Sequence, residues 1–187
     1  MPQDEVVFAG FGGQGVLFAG QLLAYAAMDE GKHVTWIPSY GPEMRGGTAN
    51  CTVVVSDRPI GAPLVRHPSV ALAFNKPSFD KYEPLVAAQG LLVVNSSLVE
   101  QTSARTDMAI LPVPGTTEAE TLVGNIRVAN IILLAAMLTA RPIVPLETVS
   151  KALEEHLPEH RRHMLADNRR ALARGAEIAA EVLAGVS

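Results

Sequence analysis

Val6-Val7-Phe8-Ala9-Gly10-Phe11-Gly12-Gly13-Gln14-Gly15 is the stretch on which the fold turns. Its first four residues form a short, unbroken apolar run, the pattern of a central strand of a parallel sheet with helices on both faces. Beyond the glycines, Val16, Leu17, Ala19, Leu22, Leu23, Ala26 and Ala27 recur at helical spacing, and Gly31 closes the run as a C-terminal cap does. The spacing predicts a helix over 14–30. A strand, a glycine turn and a helix in that order open an α/β layer fold.

Further along, His33 to Pro38 reads as a second strand, Thr48 to Ser56 as a third, Val70 to Phe74 as a fourth, Leu91 to Val94 as a fifth and Met108 to Val113 as a sixth. Asn75-Lys76-Pro77 opens a short helix running to about Ala88. Thr116-Thr117-Glu118 opens another, and a strongly apolar helix covers about Asn125 to Leu138. After the proline-rich joint 141–145, two more helices are predicted over 146–157 and 161–183, separated by Pro158. The expected architecture is a three-layer α/β fold with a mainly parallel sheet, a Rossmann-like start and a helical C-terminal tail. It forms one domain over 1–187, with the sheet part in 1–140 and the tail in 141–187.

Composition narrows the function classes. The 187 residues are 48% hydrophobic and 18% charged, which suits a folded domain and not a disordered chain. Fifteen Lys and Arg against 19 Asp and Glu leave a formal charge of −4, without the basic footprint of a nucleic-acid binder. The lone Cys51 can neither form an internal disulfide nor hold an iron–sulfur cluster or four-thiolate zinc site. The acidic start, Met1 to Glu5, is unlike a secretory signal, so cytoplasmic residence is expected. The longest apolar stretch, Ile131 to Ala140, is too short for a membrane span of about 20 residues.

Gly10 to Gly15 fits G-x-G-x-x-G between a strand and a helix, the setting in which backbone N–H groups and the helix dipole receive a phosphate. A dinucleotide site would also need an acid at the end of the second strand to hold the ribose, and Ile37-Pro38-Ser39 stands there. No Gly-Lys-Ser/Thr follows, so a P-loop is excluded. Packing alone, with the glycines only easing strand–helix contact, is the competing reading. Ser39-Tyr40-Gly41-Pro42-Glu43-Met44-Arg45-Gly46-Gly47 is a second informative segment, in which Arg45 can offer a bidentate partner to a phosphate or carboxylate.

These two segments, in this order, resemble the gamma subunit of 2-oxoacid:ferredoxin oxidoreductases. The likeness extends to Thr48-Ala49-Asn50-Cys51, to Asn75-Lys76-Pro77 after a strand, and to Gly124-Asn125 with Asn130 opening the apolar helix. It covers essentially the whole chain. The Gly41-Pro42-Glu43-Met44-Arg45-Gly46-Gly47 form looks most like the 2-oxoglutarate branch, with pyruvate and ketoisovalerate branches as relatives. The resemblance implies oxidative decarboxylation of a 2-oxoacid to an acyl-coenzyme A, with electrons passing to ferredoxin. Thiamine diphosphate, Mg and iron–sulfur clusters are then expected in partner subunits: alpha and beta chains, and a ferredoxin-like delta chain where present. This chain would serve the coenzyme A side and subunit assembly, would not be active alone, and would supply no catalytic residue and no metal ligand. Gly12, Gly13, Gln14, Gly15, Tyr40, Glu43, Arg45 and Asn75 are its candidate cofactor-binding residues. No cofactor is expected to bind it without the partners.

Other features have plainer readings. Cys51 is expected to be a small buried hydrophobe. His156, His160 and His163 straddle Pro158, which breaks the helix that would align them, and no carboxylate completes a familiar metal-ligand spacing. They read as a solvated or interface face, and Asn75 and Asn95 as candidates for holding turns after strands. Two other functions compete: a free-standing nucleotide-binding protein of Rossmann type, and a purely structural assembly subunit whose glycine loop touches another chain.

Overall fold

A computed structural model describes residues 3–40 and 48–185. Among these residues six strands form one sheet: β1 (Gln3–Phe11), β2 (His33–Tyr40), β3 (Thr48–Ser56), β4 (Val70–Ala73), β5 (Leu91–Asn95) and β6 (Ala109–Val113). Six α-helices accompany them among the described residues: α1 (Val16–Asp29), α2 (Lys76–Tyr82), α3 (Gly115–Val123), α4 (Ala129–Ala140), α5 (Leu146–His156) and α6 (Leu165–Gly185). The sheet order is β2-β3-β1-β4-β5-β6. β1, β4, β5 and β6 pair in parallel, while β3 runs antiparallel between β1 and β2.

The expected strands are all present, and the α/β sheet with its helical tail stands as read. Three helices differ at their ends: the one expected to about Ala88 stops at Tyr82, the one expected from about Asn125 starts at Ala129 after a 3-10 turn, and the last starts late. The final helix begins at Leu165, because Pro158 is followed by a tight 3-10 turn over Glu159–Met164. Proline fixes its own φ and cannot continue the hydrogen-bond ladder, so a tighter turn intervenes.

Alternation along the strands sorts the core into two layers. Phe8, Leu72 and Val93 point to one face, where α1 and the apolar α4 cover them. Ala71, Ala73, Leu92 and Val94 point to the other, against Phe79 of α2 and Val86. Cys51 is wholly buried beside Gly20, its Sγ 3.8 Å from the Val16 carbonyl oxygen, and burial pushes its thiol up to about 12. It is an inert core residue at neutral pH.

The tail is built into this core. α6 lies on α4 so closely that a Cβ at Gly175 would overlap the Ile132 carbonyl oxygen. Arg141, at the joint before the tail, reaches back to Asp4 of β1 at 2.8 Å, where the carboxylate is almost entirely buried.

Arg174 of α6 binds Glu118 of α3 at 2.8 Å, and its guanidinium holds the Glu118 carboxyl below the usual carboxylate range. A depressed carboxylate stabilises the fold above its ordinary value of 4.5 and loses that contribution as pH falls through the lowered folded value. The melting-temperature gap between the native chain and Glu118→Gln should therefore be widest near about pH 7 and close in acid. Calorimetry across that range measures it, and a gap that persists in acid would show that the pair does not carry the effect.

Candidate functional site

The carboxyl ends of β1, β4 and β5 meet where open α/β sheets collect ligands. After Phe11 the chain turns through Gly13, with φ of 97°, and Gly15, with φ of 73°, a backbone region that side-chain-bearing residues avoid. Gly15 caps α1 without help from any side chain, and the first turn of α1 holds no acid. The first-turn N–H donors are thus left for an anion, at the favourable end of the helix dipole.

Gln14 braces this turn from behind. Its Oε1 accepts from the Phe11 N–H at 2.7 Å and from Asn75 Nδ2 at 3.0 Å, while its Nε2 donates to the Phe74 carbonyl at 3.4 Å. Its own backbone N–H donates to the Phe11 carbonyl at 3.2 Å. Asn75 is buried and caps α2, its Oδ1 accepting from the Ser78 N–H at 3.0 Å. Asn95 likewise holds the start of α3 through Thr116. Gln14 and Asn75, expected among the ligand-binding residues, are placed as a buttress that fixes the loop without lining its cavity. Their amides are already occupied by the turn and the cap.

From the other side, Asn130 at the start of α4 donates to the Gly15 carbonyl at 3.0 Å and its Oδ1 accepts from the Ile131 N–H. A methyl at Gly15 would overlap the Asn130 side chain, so the glycine is required both by backbone angle and by space.

In front of the loop lies a cavity of about 650 Å³, floored by Gly12, Gly13 and Gly15. Four cationic or imidazole side chains line it: Arg127, His160, Arg161 and His163. No acid lines it among the described residues. Phe11, Leu17, Phe18 and Met164 supply apolar wall. Arg127 is set there by the turn after α3, where Gly124 has φ of 66° and the Asn125 side chain accepts from the Arg127 N–H at 3.1 Å. The Glu159–Met164 turn contributes the other three. These four residues were not foreseen as a site; for His160, Arg161 and His163 the sequence signal was a cation-rich stretch across Pro158, which reads as a wet helix face until the turn folds it inward. The same turn parts the three histidines, since His156 remains on α5, away from the cavity.

Tyr40 is the register partner of Ala49, and Ala49 lines the cavity, so both ends of the 41–47 segment stand at its rim. Glu43 and Arg45 lie outside the described residues. The dinucleotide reading meets a geometric obstacle here: β3 separates β2 from β1, so the end of β2 is not beside the glycine loop as ribose recognition needs.

Comparison with known proteins agrees with this architecture. Residues 5–178 match the family described as pyruvate ferredoxin/flavodoxin oxidoreductase. The 2-oxoglutarate synthase subunit KorC of Methanocaldococcus jannaschii is 33% identical over 182 residues, covering 96% of both chains. Ketoisovalerate oxidoreductase subunit VorA of Methanothermobacter thermautotrophicus is 41% identical over 137 residues, which is 73% of this chain but only 28% of that protein. The crystal structure of a keto/oxoacid ferredoxin oxidoreductase gamma subunit from Geobacter sulfurreducens superposes with a TM-score of 0.85 at 32% identity, covering 97% of this chain and 98% of that one.

Proposed function

The chain belongs to the pyruvate ferredoxin/flavodoxin oxidoreductase family, and from that premise we propose that it is the gamma subunit of a 2-oxoacid:ferredoxin oxidoreductase that holds coenzyme A. The observation that carries the second half is the cavity: a glycine loop with open N–H donors, faced by Arg127, Arg161 and two histidines with no acid among the described lining. Coenzyme A fits such a site on three counts. Its phosphates suit the donors and cations, its adenine and pantetheine arm suit the apolar wall, and about 650 Å³ lies within the range of small-molecule pockets.

Arg127 and Arg161 would hold phosphate oxygens, and the loop N–H groups would receive the diphosphate from the opposite side. Leu17, Phe18 and Met164 would exclude water along the arm. Coenzyme A, when bound, supplies the thiol that accepts the acyl group. Gly12, Gly13 and Gly15 act by backbone, and Gln14 with Asn75 by fixing the loop. One buried cysteine gives this chain no means of ligating an iron–sulfur cluster by itself; as the family resemblance implies, clusters and thiamine diphosphate with Mg are assigned to alpha and beta partners, or to a ferredoxin-like delta chain. Among the described residues no helix is long and apolar enough to cross a membrane, and cytoplasmic residence accords with this assignment.

The substrate we assign is 2-oxoglutarate, supported by the end-to-end match with KorC. The higher identity to VorA over a shorter span favours a branched-chain 2-oxoacid as the second reading. Anaerobic purification of the tagged chain from its host tests the assignment. Two larger partners carrying thiamine and iron, with coenzyme A-dependent oxidation of a 2-oxoacid, are expected. A lone protein that binds NAD unaided would overturn it.

A further inference from the structure

A group of ligating side chains lies apart from the cavity, where α1 packs on α5. Asp29 ends α1, Glu155 and His156 end α5, and one donor atom from each lies within 4.8 Å of the others. We propose that these three residues form a surface site for a borderline divalent cation of the zinc, cobalt or nickel class, which ties α1 to α5.

Two features point to a cation there. The first is electrostatic. Both carboxylates sit in the last turn of a helix, at the negative end of its dipole, where acids are disfavoured. No basic residue stands in the last turn of α1, and α5 has only His156 in its own. Glu30, directly after Asp29, adds a third acid. Lys151 faces Glu30 and Glu155 but is held by Glu147 at 2.8 Å. A bound cation relieves both helix ends together.

The second feature is the histidine's geometry. Its ring is stacked on Tyr25 of α1, with centroids 4.0 Å apart and planes 11° from parallel. The stack fixes the imidazole plane, so little rotamer freedom remains to be lost on ligation. Its Nε2 lies 3.8 Å from Asp29 Oδ2, beyond hydrogen-bond length. That separation is within the span of two donors each about 2.0–2.2 Å from one ion. One imidazole and two carboxylates favour a borderline cation over calcium or magnesium, and three protein donors leave positions for water. Sequence spacing could not show this set, because Asp29 lies far from His156 in the chain.

Titration of the full chain with zinc alone, by calorimetry and by thermal melting, tests the site. We expect one ion per chain with Kd of about 10 μM or tighter, and a melting temperature that rises with zinc, since the ion binds the folded chain. Asp29→Asn and His156→Gln, both at exposed positions, should each weaken uptake at least about tenfold while keeping the zinc-free melting transition. The His160→Gln/His163→Gln double variant should retain it. Absence of saturable uptake at about 100 μM zinc would overturn the site. So would uptake that survives Asp29→Asn and His156→Gln, or that is lost with His160 and His163.

Discussion

Replacing Gly175 by alanine is expected to lower stability by about 3 kcal/mol, although alanine is the better helix former by about 1 kcal/mol. The new Cβ would collide with the Ile132 carbonyl oxygen and sit 2.9 Å from the Ala135 Cβ. Both are on α4, which is buried along nearly its whole length, so neither can withdraw. Relief requires α6 to lift off α4, exposing Leu172, Ile178 and Ala179, which are buried there. For a chain of this size the cost corresponds to a fall of roughly 6–12 °C in melting temperature. Thermal melts of the two proteins side by side measure it. A rise would mean that helix propensity wins and that the α4–α6 approach is looser than described.

Changing Arg127 and Arg161 together to alanine should raise the KM for coenzyme A in the assembled enzyme by about 100-fold or more, with oxoacid decarboxylation intact. Each charge-assisted hydrogen bond to a phosphate contributes about 1.5–3 kcal/mol, and about 1.4 kcal/mol is a factor of ten. Both residues are exposed on the cavity wall and neither supports the core, so the fold should tolerate the change. Single variants separate their shares. An unchanged KM would remove coenzyme A from this cavity while leaving the subunit assignment in place.

Much of the fold was legible because its signals are local. The apolar run Val6 to Ala9, the glycines and the helical spacing after Val16 all act within a few residues of one another. The placement of β3 between β1 and β2 was not legible, since a nine-residue pairing of Phe11 with Thr48 through Gln3 with Ser56 is a long-range choice that no local pattern announces. The candidate site divides along the same line. Gly12, Gly13 and Gly15 announced themselves by type and order. Gln14 and Asn75 were recognisable as polar residues near the loop, yet their hydrogen-bond partners, and so their bracing role, depend on β1 and β4 meeting. Arg127 and the Glu159–Met164 turn stayed hidden, because their direction is set by Gly124, Asn125 and Pro158 and by a wall more than a hundred residues away in the chain.

The bond from Asn130 to Gly15 spans 115 positions, and the one from Arg141 to Asp4 spans 137. During synthesis, therefore, the glycine turn leaves the ribosome long before the residue that locks its exit has been made, and β1 must wait for the same reason. The anion-receiving end of the sheet is a late product of folding. Contacts of such sequence separation slow the search for the native topology. Until α4 arrives, the turn has the bracing of Gln14 but lacks the Asn130 bond that holds Gly15.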